Sequence, residues 1–152
     1  MSKEESIGSI AALIRSLQQS FDAFDEAAAA RLGLNRTDLR CLDVVLNGGP
    51  LSAGGLSTAS RLSPAATTTA IDRLERAGLV FRTRDPVNRR RVLITASDAA
   101  RTAEAELFAP VGRAGAEALG GYDQDELAVI LDFLRTSLRV QEEQITRVRS
   151  LP

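Results

Sequence analysis

Arg84, Asp85, Arg89, Arg90 and Arg91 fall within eight positions of one another, around Pro86-Val87-Asn88. Guanidinium groups beside turn-forming residues suit a phosphate-bearing partner, because arginine meets phosphate with two parallel N–H bonds and keeps its proton. From Arg61 to Arg91 there are eight arginines against three acids (Asp72, Glu75 and Asp85), a local net of +5. The whole 152-residue chain sums to −1, so everything outside that segment carries −6. A basic middle flanked by acidic segments is a charge asymmetry that nucleic-acid binding would use.

The missing residue types exclude other chemistry. The chain has no His and one Cys. Without His there is no Ser–His or Cys–His pair, and the commonest zinc ligand is gone. A metal site would need carboxylates alone, and no tight carboxylate cluster suggests one. No catalytic residue, metal or cofactor is expected. One Cys makes no intrachain disulfide framework. Cys41 lies in an apolar stretch between Leu39 and Leu42, with only Arg40 as a basic neighbour. It reads as inert packing rather than as a redox switch. No apolar run reaches the ~18 residues a membrane span needs. The start, Met1 to Glu5, lacks a secretory leader pattern. A cytoplasmic protein is expected.

The elements that must position these residues are mostly helical. Ile7, Ile10, Ile14, Leu17, Phe21 and Phe24 recur at steps of three and four, which predicts a helix over 5–30. It would run roughly 35–40 Å at 1.5 Å per residue. Leu39, Leu42, Val45 and Leu46 predict a second helix, capped by Asn35 or Thr37 and stopped by Gly48-Gly49-Pro50. A short polar segment, 52–61, carries Leu56 and Ala59 as its apolar side and is weakened as a helix by Gly54 and Gly55. Ser63-Pro64 is a strong helix start, Ser as N-cap and Pro as the first helical residue, and Gly78 marks that helix's stop. Thr67, Ile71 and Leu74 share one side of it; Thr68, Thr69, Asp72 and Arg73 lie elsewhere around it. The period then shortens. Residues 79–84 and 91–95 predict two strands around the turn 85–88. Ser97 or Asp98 caps a further helix that Pro110 kinks or interrupts. Asp123 and Glu126 form a capping box ahead of a stripe of Leu127, Ile130, Leu131, Leu134 and Leu138.

A short helix, a tight turn, a Ser-Pro-capped helix and a hairpin with a basic tip come in the order of a winged helix-turn-helix. In that arrangement the second helix enters the major groove by its N-terminal residues, and the hairpin carries Arg toward the adjacent minor groove. The fold class expected is mainly α with a small β-hairpin wing: a winged helix-turn-helix lobe (35–96) and a helical dimerisation lobe (1–34 with 97–152).

Three stretches carry a family resemblance: Leu62-Ser63-Pro64-Ala65-Ala66, Asp72-Arg73-Leu74-Glu75-Arg76-Ala77-Gly78-Leu79-Val80, and Arg84-Asp85-Pro86-Val87-Asn88-Arg89-Arg90. Together the chain resembles the multiple-antibiotic-resistance (MarR) type of regulator over essentially its whole length. The resemblance implies an obligate homodimer on a palindrome in double-stranded DNA, acting as a repressor. It implies base reading at Ala65, Ala66, Thr68 and Thr69, backbone contacts at Ser63 and Arg73, a bracing acid at Asp85, and wing contacts at Arg84, Arg89, Arg90 and Arg91. It also implies a small aromatic or phenolic effector. Arg15 and Arg40 are the candidate carboxylate partners for such a ligand, with Phe21 beside them. Phe21, Phe24 and Phe108 otherwise read as dimer core. The chain departs from its relatives at Thr69, where many carry Arg, at Gly54 and Gly55, and at Ser60, where Leu is usual. Two rival readings are a winged-helix protein-interaction module, which the −6 outside the basic segment favours, and a small hydrolase or transferase, which the absence of His disfavours.

Overall fold

A computed structural model describes residues 2–152. Its order is α1 (Lys3–Leu32), α2 (Arg36–Gly48), α3 (Ala53–Ser60), α4 (Pro64–Arg76), β1 (Val80–Arg84), β2 (Val92–Ala96), α5 (Asp98–Ala103), a π-helical turn (Glu104–Phe108), α6 (Ala109–Leu119) and α7 (Gln124–Arg149). The chain divides into two compact units, one ending at Phe108 and the other comprising Ala109–Pro152.

The helix boundaries follow from side chains that satisfy otherwise orphaned backbone amides. Asn35 accepts from the amide of Asp38, Ser52 from Gly55, Ser63 from Ala66 and Ser97 from Ala100. Of the alternatives left open by the sequence, Asn35 rather than Thr37 and Ser97 rather than Asp98 are the caps. At the other ends, Gly33 closes α1 at φ 66° and Gly78 follows α4 at φ 72°, a left-handed backbone that Gly adopts without a Cβ clash.

The core of the first unit joins α2, α3, α4 and the hairpin. Cys41, Leu42 and Val45 meet Leu56, Ala70, Ile71 and Leu74, and Leu79, Val80, Ile94 and Ala96 close the cluster. Ala59, expected on the apolar side of α3, is instead exposed, and Ser60 takes the buried position. Ser60 is tolerated there because its hydroxyl donates to the Leu56 carbonyl (2.6 Å) and accepts from the Cys41 thiol (3.7 Å). β1 and β2 pair antiparallel from Val80↔Ala96 to Arg84↔Val92. Leu51 adds a bridge to Ile94 through two backbone hydrogen bonds, 3.2 and 2.8 Å, which ties the start of α3 to the sheet. α1 joins this unit by its C-terminal end, where Ala28 and Ala29 pack with Leu39, and Phe24 meets Phe108 edge to face at 5.7 Å. The interruption expected near Pro110 takes the form of the π-helical turn just before it. Proline has no N–H to continue the α-helical ladder, and a wider turn is one way to accommodate that.

The second unit is α6 and α7. Asp123 caps α7, accepting from the amides of Asp125 and Glu126 at 2.9 Å, while the Glu126 carboxylate accepts from the Asp123 amide. No residue of this unit is buried, and Leu131, Leu134 and Leu138 of its apolar stripe stand in the open. The stripe on α1, from Ile7 to Phe21, is likewise exposed. Among the described residues no helix is long and apolar enough to cross a membrane.

Candidate nucleic-acid interface

The helix that would enter a groove is α4, and its leading end is built by Ser63 and Pro64. Ser63 Oγ accepts from the Ala66 amide at 3.2 Å, and Pro64 brings no amide that needs a partner. Behind this tip Thr67, Ala70, Ile71 and Leu74 anchor the helix in the core, while Ala65, Thr68 and Thr69 are exposed and Ala66 is half-buried. Thr68 donates its hydroxyl to the Pro64 carbonyl and Thr69 to the Ala65 carbonyl, both at 3.0 Å. With those protons committed within the helix, the exposed face offers methyl groups and hydroxyl lone pairs. Such a surface suits thymine methyls and base amino groups better than guanine O6 and N7.

Arg73 is held more firmly than the sequence suggests. Its Nε and Nη2 grip the carboxylate of Asp38 on α2 at 2.8 to 3.0 Å. Asp38 is buried, and the hydrogen bonding from Arg73 to its carboxylate, helped by its charge, holds the Arg73 guanidinium further into its protonated range. Only Nη1 of Arg73 has no partner among the described residues. Asp38 is a residue that sequence reasoning missed. An acid in the first turn of a helix is unremarkable in sequence, and its partner lies 35 positions away.

The wing is organised by Asp85. Its Oδ1 accepts from the amides of Val87 (2.8 Å) and Asn88 (3.3 Å), and those two bonds, helped by Arg91, hold its carboxyl below the usual range. The Asp85 amide donates to the Arg91 carbonyl, and the Arg91 amide to the Asn88 carbonyl, which closes the tip. Arg91 Nη1 stands 3.9 Å from Asp85 Oδ2, a loose pair. Arg84, Arg89 and Arg90 are exposed and carry no ion pair among the described residues. The structure therefore gathers Ser63, Ala65, Ala66, Thr68, Thr69 and Arg73 on one helix, and Arg84, Asp85, Arg89, Arg90 and Arg91 at one hairpin tip.

Arg82 and Arg76 both engage Asp72, in different ways. The Asp72 carboxylate goes to Arg82 (2.8 Å), which also bonds Glu75, and Arg76 donates to the Asp72 backbone carbonyl. A strand neighbour reaches across to α4 more directly than the next turn of the same helix. Cys41 is fully buried, and that burial pushes its thiol up.

A hollow of about 250 Å³ in the first unit is lined by Asp25, Arg36, Leu39, Arg40, Asp43 and Phe108. Arg36 is engaged with Asp22 and Asp25, whereas Arg40 has no ion pair among the described residues. Arg15 and Phe21 are exposed on α1 and do not line this hollow.

With this geometry in view, the likeness to known proteins is specific. A family model described as the MarR family matches residues 34–92. Over 137 residues the chain is 36% identical to the uncharacterized HTH-type transcriptional regulator YcgE of Bacillus subtilis (strain 168), spanning 90% of this chain and 89% of that protein. Among solved structures, a MarR family protein from Bacillus stearothermophilus superposes with a TM-score of 0.67 at 23% identity, over 93% of this chain and 99% of that one. A MarR family transcriptional regulator from Silicibacter pomeroyi DSS gives 0.64 at 22% identity, over 93% and 95%.

Proposed function

Because the chain belongs to the MarR family of DNA-binding transcriptional regulators, which are not enzymes, we propose that it is a dimeric repressor that occupies a palindromic operator. The observation that carries this reading is the pairing of a Ser63-capped helix, free of bulky side chains at its tip, with a braced wing whose Arg84, Arg89 and Arg90 are uncommitted. Ala65, Ala66, Thr68 and Thr69 read bases; Ser63 and Arg73 Nη1 meet backbone phosphates; the wing arginines meet the neighbouring groove, and Asp85 fixes their turn. In two-fold symmetry the two copies of α4 would lie about 34–36 Å apart, one turn of duplex.

Exposed apolar stripes on α1 and α7 support the dimer, since a lone chain would leave them wet. The functional division follows: 35–96 binds DNA, while 1–34 and 97–152 hold the two copies together in the cytoplasm. A small aromatic or phenolic acid would find Arg40 and Phe108 in the hollow beside α2. Such a ligand releases DNA only if it binds the DNA-incompetent spacing of the lobes more tightly than the competent one.

The test is fluorescence anisotropy of the purified protein against DNA flanking its own gene and a scrambled duplex, at two salt concentrations. Tight binding that prefers the native duplex and weakens steeply with salt is expected. Changing Arg89 and Arg90 together to Ala should weaken it; unchanged affinity would refute the wing assignment.

A further inference from the structure

Among the described residues Arg61 is the only one other than glycine with a positive φ, at 56°. The three other positive-φ positions, Gly33, Gly49 and Gly78, are all glycine, the residue that meets no Cβ clash there. Arg61 forms the turn between α3 and α4, and the turn is well determined. The Arg61 amide donates to the Thr58 carbonyl, the Leu62 amide to the Ser57 carbonyl, and Ser57 Oγ to the Leu62 carbonyl. None of those bonds uses the side chain, so the turn itself has no need of an arginine.

The side chain has surroundings of an unusual kind. It is exposed and makes no hydrogen bond or ion pair among the described residues. It is also the only charged residue between Asp43 and Asp72, a stretch that covers all of α3 and the leading half of α4. Only Leu62 separates it from the cap Ser63, two Cα steps or at most ~7.6 Å of backbone, within the reach of an arginine side chain. An unscreened cation beside a helix tip that faces DNA has one fitting counter-ion, a backbone phosphate.

We propose that Arg61 is a phosphate-binding residue of the DNA interface, supplied by the turn between α3 and α4, and that its left-handed backbone is tolerated for that interaction. The inference rests on the DNA-binding reading above. A second cation close to the cap would fix the register of α4 on the duplex, whereas the wing arginines act from a separate element.

The experiment uses the full-length protein and a duplex recovered from a random-sequence pool by the wild type. Affinity is followed over a salt series for the wild type and for Arg61→Gly, Arg61→Asn and Arg61→Lys. Removing one arginine–phosphate interaction should lower the slope of log affinity against log salt by about 0.9, and should weaken binding on the order of tenfold near 0.1 M salt. Arg61→Gly and Arg61→Asn should both show this, with a urea midpoint equal to or above that of the wild type, because both residues accept the left-handed turn. Arg61→Lys should keep the slope. An unchanged slope in Arg61→Gly and Arg61→Asn, with wild-type binding intact, would overturn the assignment of Arg61 alone. Failure of the wild type to retain any duplex would instead overturn the DNA-binding reading beneath it.

Discussion

Removing either end of the Asp38–Arg73 pair should have very unequal consequences. The Asp38 side chain is 2% exposed and Arg73 is 39% exposed. Arg73→Met strands a buried carboxylate, which costs about 3–5 kcal/mol when an ion pair is broken in this way. The helix dipole acts on Asp38 in the wild type and in the variant alike, so it does not reduce that loss. Asp38→Leu leaves a guanidinium that can turn to water, and the apolar replacement fits a dry site. The loss there is the charged hydrogen bonds alone, about 1.5–3 kcal/mol. The double variant strands nothing and should fall within about 1 kcal/mol of the wild type. Urea denaturation followed by far-ultraviolet circular dichroism measures all four proteins, at one fixed protein concentration because association shifts apparent stability. If Asp38→Leu cost as much as Arg73→Met, or if the double variant simply summed the two losses, the account of an unequal, desolvated pair would be refuted.

Two further outcomes concern pH. Burial raises the Cys41 thiol, so an unfolded chain releases that proton first, near pH ~8.5. Stability from this group is complete below that value and is lost as pH rises toward the folded pKa. Urea midpoints should therefore decline above pH ~8.5, and less so in Cys41→Ala. Asp85 behaves in the opposite sense. Its carboxyl is lowered by the Val87 and Asn88 amides, so its contribution is present above the unfolded value of ~3.9 and is lost as pH falls through the folded one. The amide proton shifts of Val87 and Asn88 should titrate with a midpoint below ~3.9, and a midpoint at or above it would contradict the bracing role.

Much of the architecture is legible in sequence because it is local. Ser63-Pro64, Asn35 and the Asp123–Glu126 box each act on amides within four residues, and all three start helices as their types require. The hairpin is equally local, with its turn residues between two β-type runs. The less legible features depend on partners far along the chain or on backbone conformation. Nothing beside Asp38 announces that it is buried, since Arg73 reaches it only after α2 and α4 have packed. Arg82 takes Asp72 because β1 returns alongside α4, a relation that helix spacing alone cannot express. Arg61 looks like one more basic residue until its φ is known. Ser60 on α3 reads as a defect in an apolar stripe, and becomes intelligible once Cys41 and the Leu56 carbonyl are seen to surround it.

The basic residues of the winged lobe are all arginine; Lys3 is the sole lysine, and there is no histidine anywhere. Guanidinium stays protonated throughout the range in which cells live, and Asp85 is already ionised well below it. The charge presented to a duplex is therefore constant with respect to acidity, and no lysine in the lobe can be silenced by acylation. A shift in acidity therefore leaves the electrostatic attraction unchanged, and a ligand that loosens this regulator from its DNA acts on position, by displacing helices and wings.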